Sequence, residues 1–356
     1  MAVNVEKQIS FAQIVQSLEK LAKRAANSNH GECFQRLTLN HRVLAELQAG
    51  IYKRGQSTQD VTDSELLMLK RGTVFNWSSL QSSIDFFRWS RASTVEELAG
   101  QAYQSASANS LVMAIAALRS ILEVSGNAAL LEKDFRELAE PKDENVDRMD
   151  WLSEFESVID GRIAGVRVDY SALTRNGLRG TKKFSYKPGE YEADHTAKDL
   201  LKGVDILDKR IKGARAAYEF FSEFAHPNLA SVWTHYDRTE VKISVLDIHG
   251  YAVHHQRRHV GAAFLDTFGT VLNEGIEIAG ECVDDLLRID LVLKAEGDAM
   301  AKHAKRAIRE IIKRDPAAFD SRELCPCNSG KNIQQCCGKL IKVSRFGRWT
   351  TTPQLH

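Results

Sequence analysis

The sequence has few prolines, few cysteines and no excess of charge of one sign. Its 356 residues include 6 prolines and 6 cysteines, and 48 basic residues against 47 acidic ones leave a formal net charge of +1. A nearly neutral chain has no overall field that attracts nucleic acid or membrane. Six cysteines in so long a chain do not form the dense disulfide framework of small secreted proteins. The composition is therefore that of an ordinary globular protein of one or two domains.

Long apolar runs and a nucleotide-binding loop are also missing. No run of eighteen apolar residues occurs, and the first twenty residues lack the apolar segment of a signal peptide. We therefore expect a cytoplasmic protein. The body contains no G-x-x-x-x-G-K-[ST] phosphate loop, so nothing in it indicates an NTPase.

Charge is distributed unevenly along the chain. The last 36 residues carry six basic residues and one acidic residue, which makes this segment +5 and the preceding 320 residues −4. A basic helical segment also lies just upstream, between Lys302 and Arg314. A basic C-terminal module on a mildly acidic body indicates an anionic partner, although a solvated basic tail has the same composition.

Apolar residues recur at three- and four-residue intervals through most of the chain, which predicts helices. Ser93 with Glu96 three residues later predicts the N-terminus of a long helix that reaches about residue 140, with a kink at Gly126. Further helices are predicted over residues 211–225, 260–294 and 298–314. The alternation of Val241, Ile243 and Val245 with polar residues predicts a β-hairpin near residues 241–257.

Four of the six cysteines cluster near the C-terminus, and with them the predicted fold class is mainly α, a multi-helix bundle with one small β-hairpin and a C-terminal zinc knuckle. We divide the chain into an N-terminal helical region (residues 1–92), a helical core domain that contains the hairpin (93–316), the knuckle (321–340) and a basic tail (341–356). The polar stretch after Pro316 separates the core domain from the knuckle.

Four cysteines lie close together near the C-terminus, in the spacing C-x-C-x8-C-C. They are Cys325, Cys327, Cys336 and Cys337. Four thiolates at this spacing can surround one Zn²⁺ tetrahedrally, and a set of four protein ligands leaves no position for a substrate. Three alternatives are disfavoured. A disulfide pair does not suit a cytoplasmic protein, and a redox switch usually has one exposed reactive thiol rather than four clustered ones. A catalytic zinc has an open coordination position, which four protein ligands would fill. The sequence thus predicts one structural zinc ion.

This segment resembles the SEC-C zinc-binding motif, which occurs at the C-terminus of the bacterial translocation ATPase SecA and on many other bacterial proteins. The four cysteines fall on the ligand positions of the motif, and further matches are Pro326, Ser329, Gly330, Lys331 and Gly338. Asn328 departs from it, since the family has Gly there. The resemblance covers about nineteen residues. It implies a docking role, because the motif of SecA contacts a chaperone and ribosomes.

Polar residues on apolar helix faces form a second candidate site. Arg119 and Glu123 lie one turn apart on one predicted helix, and Ser222 and His226 lie one turn apart on another. They either satisfy each other in the core or form a catalytic cluster. Arg215 lies in line with the second pair, and a group of histidines, His249, His254, His255 and His259, does not have metal-ligand spacing.

The two helices that carry these residues are similar to bacterial helical domains related to the HEPN superfamily, several of whose members are metal-independent ribonucleases of toxin and phage-defence systems. The superfamily's motif is Arg, four to six residues, then His. Arg24 with His30 and Arg36 with His41 fit this spacing, whereas Arg215 with His226 does not.

Two functions follow from these observations. The first is a zinc-binding cytoplasmic interaction protein whose SEC-C knuckle docks a protein or ribonucleoprotein partner, RNA included. The alternative is a HEPN-like endoribonuclease of a toxin or phage-defence system. Whether the helical body is catalytic stays open at this stage, and so does the oligomeric state.

Overall fold

The computed structural model is described here for the parts of the chain whose placement is defined. These are residues 9–27, 31–39, 42, 43, 45, 61–139, 158, 200–225, 240–247, 250–256, 262–314, 322, 324, 325, 327, 329–337, 342, 343, 349 and 350. Within them, the backbone alone is described for residues 61–78, 139, 200, 240–247, 250–256, 262, 263, 300, 303, 304, 307, 310, 313, 314, 342, 343, 349 and 350.

Helices make up most of the described chain, and the predicted mainly α fold class is confirmed. They are α1 (Phe11–Ala25), α2 (Val61–Ser107), α3 (Leu111–Ala139), α4 (Leu200–Asp208), α5 (Ala214–Ala225) and α6 (Ala262–Arg314). Residues 31–39 are helical as well.

Two pairs of short strands accompany the helices. In the segment of the predicted hairpin, β1 (Glu240–Asp247) pairs antiparallel with β2 (Gly250–Gln256), and Ile243 lies opposite Val253. In the basic tail, β3 (Lys342–Val343) pairs antiparallel with β4 (Trp349–Thr350).

The chain divides into two compact units, each assembled from three stretches of sequence. Unit 1 comprises Met1–Ser28, Arg91–Leu131 and Asp199–Ile289, and unit 2 comprises Asn29–Ser90, Glu132–Lys198 and Asp290–His356. Both units are discontinuous, whereas the domain ranges drawn from the sequence are continuous. Those ranges remain predictions.

The core of unit 1 is built on α1, α3, α5 and the first part of α6. Helix α1 begins at a capping box, in which Ser10 Oγ accepts from Gln13 N and Gln13 Oε1 accepts from Ser10 N. In α5, Phe224 packs against Phe264 and Phe268 of α6, with ring centroids 5.0 and 5.4 Å apart. Edge-on aromatic packing of this kind stabilises the core beyond the area it buries.

The backbones of α3 and α4 meet at two glycines. A Cβ placed on Gly203 would lie 2.4 Å from the carbonyl oxygen of Gly126, and one placed on Gly126 would lie 2.9 Å from Gly203. The helix α3 runs through Gly126 without a break, and the kink predicted there stays a prediction. The glycine is present because a helix backbone passes too close for any side chain.

The helix predicted to begin at Ser93 actually begins at Val61 and ends at Ser107. A buried apolar stripe continues through this point, from Phe87 and Ala92 to Val95, so the local capping signal is overridden. The helix ends two residues before Asn109, which has a left-handed φ of 61°, and Ser110 N donates to Ser105 O at 2.7 Å.

Two other predicted helix bounds also change. Helix α6 is a single helix of 53 residues, because it continues through Gly297 rather than stopping between residues 294 and 298. Helix α5 begins at Ala214 rather than at Ile211, since Gly213 has a φ of 94° and the Asp208 carboxylate accepts from the N–H groups of Gly213 and Arg215.

One helical stretch of the described chain, Leu111–Leu138 in α3, is long and apolar enough to cross a membrane by length and composition. More than half of it is buried inside the protein. The core helix of a soluble protein passes the same test, so this is a weak indication, and the cytoplasmic location stays a prediction.

Candidate metal centre

A tight turn brings the first two cysteines of the cluster back toward the second two. Cys325 N donates to Lys331 O at 2.8 Å, and Leu324 forms an antiparallel bridge with Asn332. The reversal needs a left-handed residue, which Gly330 supplies with a φ of 71°.

A short helical turn then delivers the second pair. The carbonyl and side-chain oxygens of Asn332 both accept from Gln335 N, at 3.1 and 2.8 Å, and Cys336 N donates to Ile333 O at 3.2 Å. Ile333 is fully buried at the centre of this turn. Cys336 and Cys337 are thereby held on one side of the loop.

The four predicted metal ligands are brought together. Their Sγ atoms all lie within 4.8 Å of one another. The separations are 3.3 Å for Cys325 to Cys327, 3.4 Å for Cys327 to Cys336 and 4.0 Å for Cys336 to Cys337. A tetrahedron with metal–sulfur bonds of ~2.3 Å has edges of about 3.8 Å. The cluster can therefore hold a metal ion with little rearrangement.

The thiol groups interact strongly with one another. Hydrogen bonding from Cys325, and then from Cys337, lowers the pKa of the Cys327 thiol far below its ordinary value. The same interaction raises the pKa of Cys325. Sharing of protons among clustered sulfurs is typical of a site that accommodates thiolates, which are the form that binds metal.

The cysteine module shares an apolar core with two helical segments of unit 2. Cys325, Cys327, Cys337 and Ile333 are buried together with Ile308, Ile311 and Ile312 of α6 and with Val43. Leu39 and Leu324 pack against the same cluster. The sequence places this module after a polar stretch as a separate knuckle, but in the structure its packing is continuous with α6.

The polar residues predicted to meet on α3 and α5 are partly brought together. Arg119 Nη2 lies 3.0 Å from Glu123 Oε1 and donates to Tyr218 Oη at 3.3 Å, while Tyr218 Oη donates to Glu123 at 3.1 Å. The hydrogen bond with Tyr218 is the main cause that raises the pKa of Arg119. Arg119 thus contacts Glu123 on its own helix and Tyr218 on α5.

Two polar atoms near this triad have no hydrogen-bond partner among the described residues. They are Arg119 Nε and Ser222 Oγ, and Ser222 lies one turn beyond Tyr218 on α5. His226 lies outside the described residues. The catalytic roles of Arg119, Glu123, Ser222 and His226 therefore stay predictions.

The other arginines of the ribonuclease hypothesis are paired with carboxylates. Arg215 lies 2.9 Å from Asp205 and 2.7 Å from Glu219, so it turns to solvent rather than joining Tyr218. Arg24 pairs with Asp284 at 3.3 Å. The residues that the structure describes do not include His30 or His41. They also do not include the side chains of the histidine group around the hairpin.

Unit 2 contains a buried charge network that the sequence patterns did not predict. Arg88 binds Asp290 through two hydrogen bonds of 2.8 and 2.9 Å and Asp85 through one of 3.1 Å, and Arg36 lies 3.3 Å from Asp85 and 3.1 Å from Asp298. Burial opposes the charge of Arg88, but the hydrogen bond to Asp290 and the nearby carboxylates raise its pKa overall. The signal in the sequence was Asp85 and Arg88 three residues apart on an apolar face.

The two cysteines outside the cluster are buried thiols. Cys33 and Cys282 are 1% and 0% exposed. Burial raises the pKa of Cys33 to about 11 and that of Cys282 to about 12. They are neutral at physiological pH and belong to the cores of their units.

Comparisons of the chain with protein-family models, with curated proteins and with solved structures found no match.

Proposed function

We propose that the chain is a zinc-binding interaction protein whose C-terminal cysteine knuckle is a docking module for a protein or ribonucleoprotein partner. The observation that carries the proposal is the group of four Sγ atoms within 4.8 Å of one another. A tetrahedral set of four sulfur ligands suits Zn²⁺ or an iron–sulfur centre, and the two adjacent pairs in a short knuckle favour a single Zn²⁺.

The ligand set favours a structural role over a catalytic one. Four protein thiolates fill the coordination sphere of Zn²⁺ and leave no position for water or substrate. The energy of metal binding would instead hold a loop that is too short to fold on its own, a term on the order of 10–16 kcal/mol in comparable zinc peptides. The resemblance of the same residues to the SEC-C motif supports a docking role.

The exposed face of the knuckle is polar. The exposed residues are Ser329, Gly330 and Lys331 in the first turn and Gln334 and Gln335 in the second, while three of the four cysteines that flank them are buried. A metal site with a buried sulfur cluster and a polar rim presents hydrogen-bond donors and the cation of Lys331 to a partner at fixed positions. This arrangement supports recognition of a polar or anionic surface.

The arginines of the alternative, a metal-independent ribonuclease, are less suited to phosphate. A carboxylate held at ion-pair distance competes with a phosphate for a guanidinium. Arg24, Arg119 and Arg215 each have such a carboxylate. We therefore base the proposal on the knuckle rather than on the polar residues of α3 and α5.

An in vivo crosslinking purification tests this proposal. We compare the wild type with Lys331→Glu, which changes the exposed rim, and with Lys212→Glu, an equal charge change on an exposed residue of unit 1. We expect one recurrent partner to be recovered with the wild type and with Lys212→Glu, and to be lost with Lys331→Glu while the metal content stays the same.

Equal recovery with all three proteins contradicts a docking role for the knuckle. Cleavage of single-stranded RNA by the purified protein in excess chelator, lost in Arg119→Ala, would instead support the ribonuclease alternative.

A further inference from the structure

The C-terminal part of α6 carries a row of exposed cations. Lys302, Arg306 and Arg309 are all exposed, and at 100° per residue they fall within a sector of about 60° on the helix surface. With a rise of 1.5 Å per residue, successive cations stand about 6 and 4.5 Å apart along the axis. We call these three residues the basic stripe.

The opposite side of the same helix contacts the cysteine module. Ile308, Ile311 and Ile312 are buried in the cluster that contains the cysteines. Their mean direction is about 130° away from that of the basic stripe, by the same helical geometry. The module therefore covers the apolar side of α6 and leaves the stripe open to solvent.

The side chains that the structure describes do not neutralise the stripe. None of the described side chains forms an ion pair or a hydrogen bond with Lys302, Arg306 or Arg309. The carboxylate of Asp298, one turn before the stripe, lies 3.1 Å from Arg36 instead. Elsewhere in the described chain, surface arginines such as Arg210 bind carboxylates, in that case Asp285 at 3.1 Å.

We propose that the basic stripe binds the phosphate backbone of a nucleic acid, without sequence specificity. A linear row of unneutralised cations complements a linear polyanion, and the guanidinium groups of two of its three members can bind phosphate through two hydrogen bonds each. A protein partner would need an apolar centre in the contact surface. Every described side chain on this face of residues 302–309 is charged.

The metal site stabilises the part of α6 that carries the basic stripe. The isoleucines of α6 are fully covered only while the cysteine module is folded, and the module depends on its metal ion. Loss of the metal would remove part of the tertiary packing of the helix end, and a poorly packed helix end is marginally stable. The inference rests on the proposed function, because it names the partner class of the docking module and α6 together.

The test measures binding of the full-length, zinc-loaded protein to a fluorescein-labelled single-stranded RNA of twenty nucleotides by fluorescence anisotropy, with a DNA of the same sequence as a second arm. The triple variant Lys302→Gln/Arg306→Gln/Arg309→Gln removes the stripe while keeping good helix formers. We expect its affinity to fall at least tenfold. The slope of log K against log salt should become less steep by about 2, since each single-strand phosphate contact contributes about 0.7.

A matched control changes three cations away from the stripe. Lys202→Gln/Lys209→Gln/Lys212→Gln removes the same charge from exposed residues of unit 1. We expect its affinity to stay within about twofold of the wild type, because the remaining field acts only through screened, distant charges. The variant Arg306→Lys/Arg309→Lys keeps the positive charge of the stripe and should retain most of the affinity for the nucleic acid.

Equal affinities of the two triple variants would overturn the inference, and so would the absence of binding by zinc-loaded wild type. Tight binding of an acidic protein in place of either nucleic acid would overturn it as well. In these cases the zinc content is unchanged and the proposed function stands. Wild-type protein without zinc would refute the proposed function itself, so the two failures are distinguishable.

Discussion

The Sγ atom of Cys337 lies 3.9 Å from the carbonyl oxygen of Lys305. The last cysteine of the candidate metal site thus contacts the backbone of α6, thirty-two residues earlier in the chain. Together with the buried isoleucines of α6, this contact makes the metal site part of the packing of a long helix. Loss of the metal should therefore affect more than the knuckle.

Replacement of one metal ligand tests this coupling. Cys336→Ser removes a thiolate, so the protein should lose its metal and the knuckle should unfold. We expect amide hydrogen exchange to speed up in residues 324–337 and 305–314. The amides of α1 and α5 should keep their protection, because unit 1 has its own aromatic core.

Ser329→Ala is the matched control, because Ser329 lies between the cysteine pairs but is exposed and offers no sulfur ligand. It should keep its metal and its exchange pattern. Faster exchange confined to residues 324–337 in Cys336→Ser would show that the knuckle and α6 are independent.

The glycine contact between α3 and α4 should be intolerant of a methyl group. In Gly203→Ala the new Cβ would stand 2.4 Å from a backbone oxygen that cannot rotate away. We expect a loss of about 1–3 kcal/mol in the free energy of unfolding, measured by urea denaturation.

Gly100→Ala is the comparison in the same unit, since a Cβ there meets nothing within 4 Å. It should raise the stability by about 0.5–1 kcal/mol, because alanine is the better helix former. Similar effects of the two changes would mean that α3 and α4 do not approach as closely as described.

The buried charge network should be sensitive to the loss of one partner. Asp290→Ala leaves the guanidinium of Arg88, which is 1% exposed, without its bidentate partner. We expect a loss of about 3–5 kcal/mol in the free energy of unfolding.

Asp284, on the same helix as Asp290, forms an exposed ion pair with Arg24 of α1, and Asp284→Ala removes its carboxylate. It should cost about 0–1 kcal/mol. If the two substitutions destabilised the protein equally, the Arg88 network would not be buried in solution.

Thiol labelling distinguishes the cluster from the two isolated cysteines. Iodoacetamide at pH 8 in the presence of a chelator should modify four cysteines in the folded protein and six in denaturant, as counted by mass spectrometry. Burial raises the pKa of Cys33 to about 11, so its thiol stays neutral and unreactive.

The upward shift of the Cys33 pKa determines how the stability of the folded protein depends on pH. A folded-state pKa above the ordinary value of 9.0 means that the stability associated with Cys33 is complete below pH 9 and is lost as the pH rises toward 11. Labelling of Cys33 at pH 8 under native conditions would contradict its burial.

The helical fold and the cluster of four cysteines could be predicted from the sequence because their signals are local. Apolar spacing predicts helices, and the close spacing of Cys325 to Cys337 indicates a candidate metal site without reference to the rest of the chain. The helix bounds were harder to predict. The capping signal at Ser93 is local too, but the apolar stripe that overrides it depends on packing against other segments.

The features that the sequence did not reveal depend on contacts between distant residues. In the sequence Gly126 indicates an interruption of the helix, whereas in the structure it allows the backbone of Gly203 to approach. In the sequence, Asp85 and Arg88 indicate only a local ion pair. The structure shows that Asp290, some two hundred residues later, completes the network. The isoleucines of α6 likewise gain a role only when the cysteine module covers them.

The central claim is that the four clustered thiolates bind one structural zinc ion, and metal analysis of the native protein tests it most directly. Elemental analysis combined with native mass spectrometry should find one zinc per chain in the wild type and none in Cys336→Ser. Wild-type protein that contains no zinc after purification and takes up none when zinc is supplied under reducing conditions would contradict the account.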